Sequence, residues 1–387
     1  MNGFKIKGWC PSAFRPMASG DGLVVRLRPR GGRLSSAQAS RIADLSNRYG
    51  SGLIDLTGRA NLQIRGVAAE GHEALIEALA RLGLIDADAE TESRRNILVA
   101  PFWSEDDDTP SLAAELERAL AISSLGLPEK FGFAVDCGAE RALAQAPADI
   151  RIERGAEDGL LVRADGAREG RAVTRAESVD VALALAEWFV ASGGARDGRG
   201  RMAAHIASGA TLPDAIAAKA KPLPAVVLPR PGLYAPGALV GLAFGQMRSA
   251  TLGHLATLAP GLRITPWRMI LVEAACEMPR HQDLVTRADD PLLRVVACTG
   301  APSCPEAHAQ TREFAAALAP HIGADERLHV SGCSKGCAHP GPSTITLVGT
   351  ANGFDLVREG TTRDRPALQG LDPAKILSDA DALMGAG

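Results

Sequence analysis

The sequence predicts an α+β protein in which a small strand-and-helix unit alternates twice with a larger mixed segment. Three observations lead there. At 387 residues the chain exceeds one ordinary domain. A strand, a turn, a helix and a second strand region over residues 22–67 return in related form over residues 237–272. Each copy is followed by a longer stretch that mixes both kinds of element. When LIDLTGRANLQI is laid on GLRITPWRMILV, Thr57 meets Thr265 at an offset of 208 residues, too long for a solenoid period and suited to a duplicated domain pair.

In the first unit LVVRLRP reads as a strand, followed by a Gly-Gly turn and a helix. Ser35 or Ser36 is the N-cap of that helix, which runs through Ile42 and Leu45 and stops near Gly50. The first long segment shows a helix over 112–122, a strand over 131–136 and polar glycine-rich loops such as GGARDGRGR. The acidic run 105–108 reads as a solvated loop. The second unit comprises GALVGLAFGQM, a helical stretch over 252–258, and GLRITPWRMILV. After it come the buried-type strand LLRVVACTG, a helix over 306–319, and the strands LHVSGC, STITLVG and FDLVREG. The resulting boundaries are 1–85, 86–225, 226–290 and 291–387.

Composition excludes several classes of function. Hydrophobic residues at 46%, charged residues at 22% and a mean hydropathy of +0.02 describe a globular chain, neither disordered nor fibrous. A net charge of −3 gives no global attraction to nucleic acid or an acidic membrane. Seven lysines leave 35 arginines among the 42 cationic residues, a bias that suits bidentate binding of carboxylates and equally reflects an Ala- and Arg-rich composition. The N-terminus lacks the apolar core of a signal peptide. The uncharged run 231–247, broken by Pro236 and glycines, falls short of the roughly 20 apolar residues of a span. A cytoplasmic location is therefore expected, where cysteines serve as thiols or metal ligands more often than in disulfides.

Four of the seven cysteines form a constellation. Cys298 and Cys304 are spaced C-x5-C just past one predicted strand, and Cys333 and Cys337 are spaced C-x3-C just past another. Two pairs at two strand ends can converge on one [4Fe–4S] cluster, whose irons each take a thiolate. Zinc fits these spacings poorly, since its pairs usually run C-x2-C or C-x4-C. Gly300, Gly332 and Gly336 would let the backbone approach inorganic sulfur. Cys10, Cys137 and Cys276 read as core or loop thiols. Arg26, Arg28 and Arg30 alternate in the first strand, so a row of guanidiniums is expected on one face, able to hold a polycarboxylate or to form a basic edge.

With the cysteine pairs and the duplicated units in view, the chain resembles the sulfite and nitrite reductase superfamily, and within it the precorrin-3B synthases. The resemblance implies an α+β fold in which two ferredoxin-like half-units pair into one domain beside two larger α/β modules of sulfite/nitrite reductase type. It also implies a tetrapyrrole at the junction, next to the [4Fe–4S] cluster. The anion cradle of sulfite reductases has two arginines and two lysines. VVRLRPRGG matches the first arginine at Arg26, SRRNILV the second at Arg95, and LPEKFGF supplies Lys130 but Gly132 where the second lysine would stand. LTGRANLQIRG matches the macrocycle-binding stretch, so Thr57, Arg59, Asn61, Gln63 and Arg65 inherit that role, with Arg28 alongside them.

The departures bear on the reaction. Six-electron reduction of an anion calls for dense positive charge, which Gly132 dilutes, and GCSKGCAHP, with Ser334, Lys335 and His339, has the form of the precorrin enzymes. The resemblance thus implies a monooxygenase of aerobic cobalamin biosynthesis. It would convert precorrin-3A to precorrin-3B with O2 by C20 hydroxylation and γ-lactone formation, with the substrate in the place of sirohaem. The catalytic candidates are Arg26, Arg95, Lys130 and His339. A mononuclear non-haem iron is associated with the family; His281 and Asp283 form an H-x-D pair, and His308 and His339 lie near the cysteines. No Rossmann or P-loop signature is present, so electrons would come from a NAD(P)H-dependent reductase or a ferredoxin. Two alternatives stand beside this reading: a sirohaem-dependent sulfite or nitrite reductase, and a 4Fe-4S binding or electron-carrier protein.

Overall fold

Alternation in LVVRL and LQIRG sends Val25, Leu27, Leu62 and Ile64 to one side and Arg26, Gln63 and Arg65 to the other, the pattern of a half-buried strand. The computed structural model, which describes residues 11–214, 216 and 219–384, forms these segments as strands Gly22–Leu27 and Leu62–Val67, with those four apolar residues in the core. Their five-stranded sheet runs in the order Met17–Ser19, Gly22–Leu27, Leu62–Val67, Leu53–Leu56, Gln246–Arg248. The last strand belongs to the second unit. In return, Arg33–Ser35 pairs with Gly261–Ile264 at the end of the second sheet, beyond Gly232–Tyr234, Gly237–Leu242 and Met269–Glu273. Neither sheet is complete without a strand from the other unit.

Each exchanged strand runs straight into a helix. Ser36–Tyr49 starts with a capping box between Ser35 and Gln38, which satisfies two orphan amides at once. It packs on Ser249–Leu258, where Ser36 Oγ donates to Ala256 O at 2.6 Å and Ser249 Oγ donates to Asn47 Oδ1 at 2.6 Å. The repeat is visible in the backbone too. Thr57 N donates to Asn61 O and Thr265 N to Met269 O, and each turn contains a non-glycine residue at positive φ, Ala60 at 51° and Arg268 at 62°.

The duplication extends to buried charge, with the sign reversed. In the first sheet Arg65 Nη1 lies 3.2 Å from Asp55 Oδ2; 208 positions on, Arg263 Nε lies 2.7 Å from Glu273 Oε1. The exchanged strand adds a partner in both cases, Gln246 to Asp55 at 2.8 Å and Arg33 to Glu273 at 2.6 Å. Each pair also anchors a module. Arg312 reaches Asp55 at 3.2 Å, while Arg263 donates to Pro101 O at 2.7 Å and Trp103 O at 2.8 Å.

Both larger segments build the same five-stranded sheet, three parallel strands followed by two antiparallel ones. The first holds Ile97–Val99, Phe133–Asp136, Ile150–Arg154, Leu160–Ala164 and Arg171–Val173; the second holds Val295–Ala297, Leu328–Ser331, Ser343–Thr350, Gly353–Gly360 and Leu368–Leu371. Helices Asp108–Ile122 and Ser178–Ala191 cover the first sheet, burying Leu112, Leu116, Leu185 and Phe189 against Phe133 and Ile152. The expected α+β class, with paired small half-units and two larger modules, is the architecture present. Among the described residues no helix is long and apolar enough to cross a membrane.

Two expectations need correction. Arg26, Arg28 and Arg30 do not form a row: the strand ends at Leu27, Pro29 lacks the N–H that would continue the ladder, and a turn with Gly31 at φ 58° follows. Arg28 is buried, and Arg30 turns to Asp86 and Glu117. The helix expected over 306–319 is confined to Arg312–Leu318, because the residues before it close the cysteine loop. Thr311 Oγ1 donates to Cys298 O at 2.6 Å, and Ala301 N donates to Ala309 O at 2.9 Å.

Candidate functional site

The two cysteine pairs leave the carboxyl ends of adjacent parallel strands, Val295–Ala297 and Leu328–Ser331, where open α/β sheets gather ligands. Their loops are in contact: Gly332 N donates to Cys298 Sγ at 3.2 Å, and His308 N donates to Gly332 O at 2.8 Å. A Cβ on Gly332 would meet Ala307 Cβ at 2.7 Å, and one on Gly336, at φ 64°, would meet Thr362 Oγ1 at 2.8 Å. The close approach these glycines allow is thus to neighbouring protein. All four thiols are free of disulfides.

Burial pushes the Cys333 thiol up, and the Cys298 and Cys304 sulfurs push it further, against the Lys335 amide and ammonium. Cys337 rises through burial and through all three other sulfurs, with Lys335 opposing. Two thiols whose charged forms are disfavoured by burial and by neighbouring sulfurs suit a cationic centre beside them. Among the described residues no three His, Cys, Asp or Glu side chains form a group that could hold one metal ion. A cuboidal cluster takes each thiolate on a different iron, so its ligands need not meet at one point. Four cysteines on two touching loops are the donor type that a [4Fe–4S] cluster takes.

Facing this module is the polar side of the first sheet. Arg26 stands opposite Gln63, Gln63 opposite Asp55, and Asp55 opposite Gln246, so the four side chains share one face. Arg65 lies on the same face, held by Asp21 at 2.8 Å and Asp55 at 3.2 Å. The adjoining hairpin touches the C-x5-C loop, with Ser19 Oγ and Gly20 N donating to Ser303 O at 2.6 and 2.8 Å. Of the residues expected from the sequence, Arg26, Gln63 and Arg65 are brought together there. Thr57 shapes the adjacent turn, its Oγ1 accepting from Arg59 N and Asn61 N at 3.2 Å, while Asn61 is buried and Arg59 half-buried.

Arg28 and Arg95 go elsewhere. Arg95 grips Asp86 through Nε and Nη2, both at 2.9 Å, and donates to Arg28 O at 2.9 Å. Arg28 donates to Glu92 O and lies 3.9 Å from the Glu92 carboxylate; burial pushes its guanidinium down to about 10, against the pull of Glu92. These pairs join the first half-unit to its module. Lys130 is exposed. Gly132 is packed beneath Asn96: a Cβ there would meet Asn96 Nδ2 at 2.7 Å and Asn96 O at 3.0 Å. Lysine introduced at this position is expected to lower the thermal midpoint, costing about 1–3 kcal/mol by overpacking. An unchanged melting temperature for Gly132→Lys would show that Asn96 gives way.

His339 Nε2 lies 3.1 Å from Pro342 O, and its ring meets that of His329 edge-on at 5.8 Å. His329 is fully buried with neither ring nitrogen partnered; burial, then His339 and Arg268, push it down to about 4. His308 is exposed. The H-x-D pair does not fit a mononuclear iron, because Asp283 is taken by the Thr251 hydroxyl at 2.7 Å and Arg248 at 3.5 Å, while His281 Nδ1 accepts from Asp283 N. Sequence reasoning missed Gln246, Arg312, Arg268 and His329. Only Arg268, which donates to Ala338 O at 3.2 Å, carries a signal, since it falls in the repeated turn.

The family described as nitrite/sulfite reductase ferredoxin-like half domain matches residues 15–82. A precorrin-3B synthase from Sinorhizobium sp is 29% identical over 93% of this chain and 84% of its own length. A ferredoxin–nitrite reductase from Synechococcus elongatus is 31% identical over 164 residues, 40% of this chain and 32% of that protein. Among solved structures, the NirA protein of Mycobacterium tuberculosis superposes with a TM-score of 0.64 at 18% identity, covering 93% of this chain and 79% of its own, a likeness of fold. With its duplicated half-units, twin modules and these relatives, the chain belongs to the superfamily of the precorrin-3B synthases and the sulfite and nitrite reductases.

Proposed function

We propose that the chain is a monooxygenase that converts precorrin-3A to precorrin-3B with O2, carrying a [4Fe–4S] cluster on Cys298, Cys304, Cys333 and Cys337. The observation that favours this over anion reduction is Gly132, because Asn96 occupies the space from which a second cradle lysine would grow. The near full-length similarity to a precorrin-3B synthase supports the same choice. The bound cluster supplies electrons one at a time.

The protein's part is to bind and orient the macrocycle. On the sheet face toward the cysteine module, Arg26 offers a guanidinium for a substrate carboxylate and Gln63 an amide beside it. The Thr57–Asn61 turn carries Arg59 at the rim, with Lys130 and His339 as further polar groups. One oxygen atom of O2 enters the product at C20, and the other leaves as water with two electrons from a NAD(P)H-dependent reductase or a ferredoxin. The lactone then closes from an acetate side chain. No step is assigned to a mononuclear iron.

Turnover of precorrin-3A under isotopically labelled O2 tests the reading and should place one labelled oxygen in the product. Label arriving only from water, or efficient sulfite or nitrite reduction by sirohaem-loaded protein, would overturn it. Arg26→Ala should weaken precorrin-3A binding by about 1.5–3 kcal/mol in an anaerobic titration, the size of one charge-assisted contact.

A further inference from the structure

We propose that the cavity at the carboxyl ends of the parallel strands of the first module binds a small organic cation, an amidinium, guanidinium or ammonium group on a compact apolar body. The cavity holds about 280 Å³ beyond strands Ile97–Val99 and Phe133–Asp136, in a place distinct from the cysteine module. Phe102, Trp103 and Tyr234 supply aromatic wall, and Asp107, Asp136 and Glu140 supply carboxylates. It is the crevice that, in the twin module, is bordered by the cysteine loops. Open α/β sheets use such strand ends for ligands.

The strongest pointer is Asp136. It is 2% exposed; its Oδ2 accepts from Leu143 N at 2.7 Å, and its Oδ1 has no partner. A buried carboxylate oxygen with nothing bound to it is costly, and a cation in the cavity would satisfy it. Burial accordingly pushes this carboxyl up to about 7.

The aromatic wall suits the same chemistry. Phe102 and Tyr234 lie 4.7 Å apart between ring centroids, and Trp103 already has the Arg263 guanidinium over its ring at 3.3 Å. That guanidinium is committed to Glu273 and to two carbonyls, so it does not neutralise the cavity. An anionic ligand would meet three carboxylates.

Benzamidine, with benzamide as its neutral isostere, tests this on the full-length, cluster-loaded protein by calorimetric titration. Benzamidine should bind at least about 10-fold more tightly than benzamide, the weight of one charge-assisted contact. Asp136→Asn should remove most of that preference. The variant keeps an oxygen to accept from Leu143 N, so folding is expected to persist; Glu140→Gln, at an exposed wall position, gives a milder reduction in a protein whose fold is not at risk. Equal binding of the two probes, absence of benzamidine binding, or a preference that survives Asp136→Asn would overturn the proposal.

Discussion

Serine in place of any one of Cys298, Cys304, Cys333 or Cys337 is expected to leave the protein with little iron and sulfide after anaerobic reconstitution, and without the visible absorption of a [4Fe–4S] cluster. In a cuboidal cluster each thiolate would hold a different iron, so three ligands would leave one corner open to solvent and to loss. The four positions also depend on each other. Cys298 Sγ is tied to Gly332 N, and Cys333 and Cys337 feel the other sulfurs electrostatically, so a loop that loses its ligand also loosens its neighbour. The controls are Cys137→Ser and Cys276→Ser. Cys137 is buried, pushed up to about 12 chiefly by burial, and its thiol lies 3.8 Å from Ile152 O; Cys276 is exposed and 3.6 Å from Ala274 O. Neither should change the iron content. Cys10 lies outside the described residues. A quartet variant that keeps full iron, sulfide and an unaltered spectrum would remove that residue from the ligand set, and stoichiometric zinc in a colourless protein would remove the cluster.

The parts of the fold that were legible in the sequence are those governed by local periodicity. Ser35 and Gln38 announce a helix start, Gly50 its end, and the alternation in LVVRL its strand, because each signal lies within one element. The repeat of Thr57 at Thr265 was legible for the same reason, since both turns need the same backbone path. The strand exchange was not. RLS and QMR each read as the lead-in to the following helix, and nothing in three residues says which sheet they will join. The arginine row failed through a tertiary competition: Arg28 finds Glu92, and Arg30 finds Asp86 and Glu117, acids distant in sequence that attract a guanidinium more strongly in a partly buried setting than in water. The polar face with Arg26, Gln63, Asp55 and Gln246 needed the cross-strand register, which a sequence does not contain.

Glu273→Ala is expected to destabilise the protein by about 3–5 kcal/mol, the usual cost of removing one partner from a buried ion pair. Glu273 and Arg263 have side chains only 9% exposed, and Arg33 adds two further hydrogen bonds to the same carboxylate across the exchanged strand. Without the carboxylate, Arg263 keeps Pro101 O, Trp103 O and the Trp103 ring, which places the loss toward the lower end of that range. Replacing both partners, as Glu273→Leu with Arg263→Leu, should recover part of the loss by removing the uncompensated charge. The dependence on pH has a definite sign. Burial alone would raise the Glu273 carboxyl, but hydrogen bonds from Arg33 and Arg263 hold it below its ordinary value. A carboxyl lowered in the folded state contributes stability above its unfolded pKa of about 4.3 and loses it as pH falls through the lower folded value. The gap between the wild type and Glu273→Gln in denaturant unfolding should therefore be widest near neutral pH and shrink below about pH 4. A Glu273→Ala cost under about 1 kcal/mol, or a gap that grows in acid, would mean that the charge pair at the strand exchange does not hold the two half-units together.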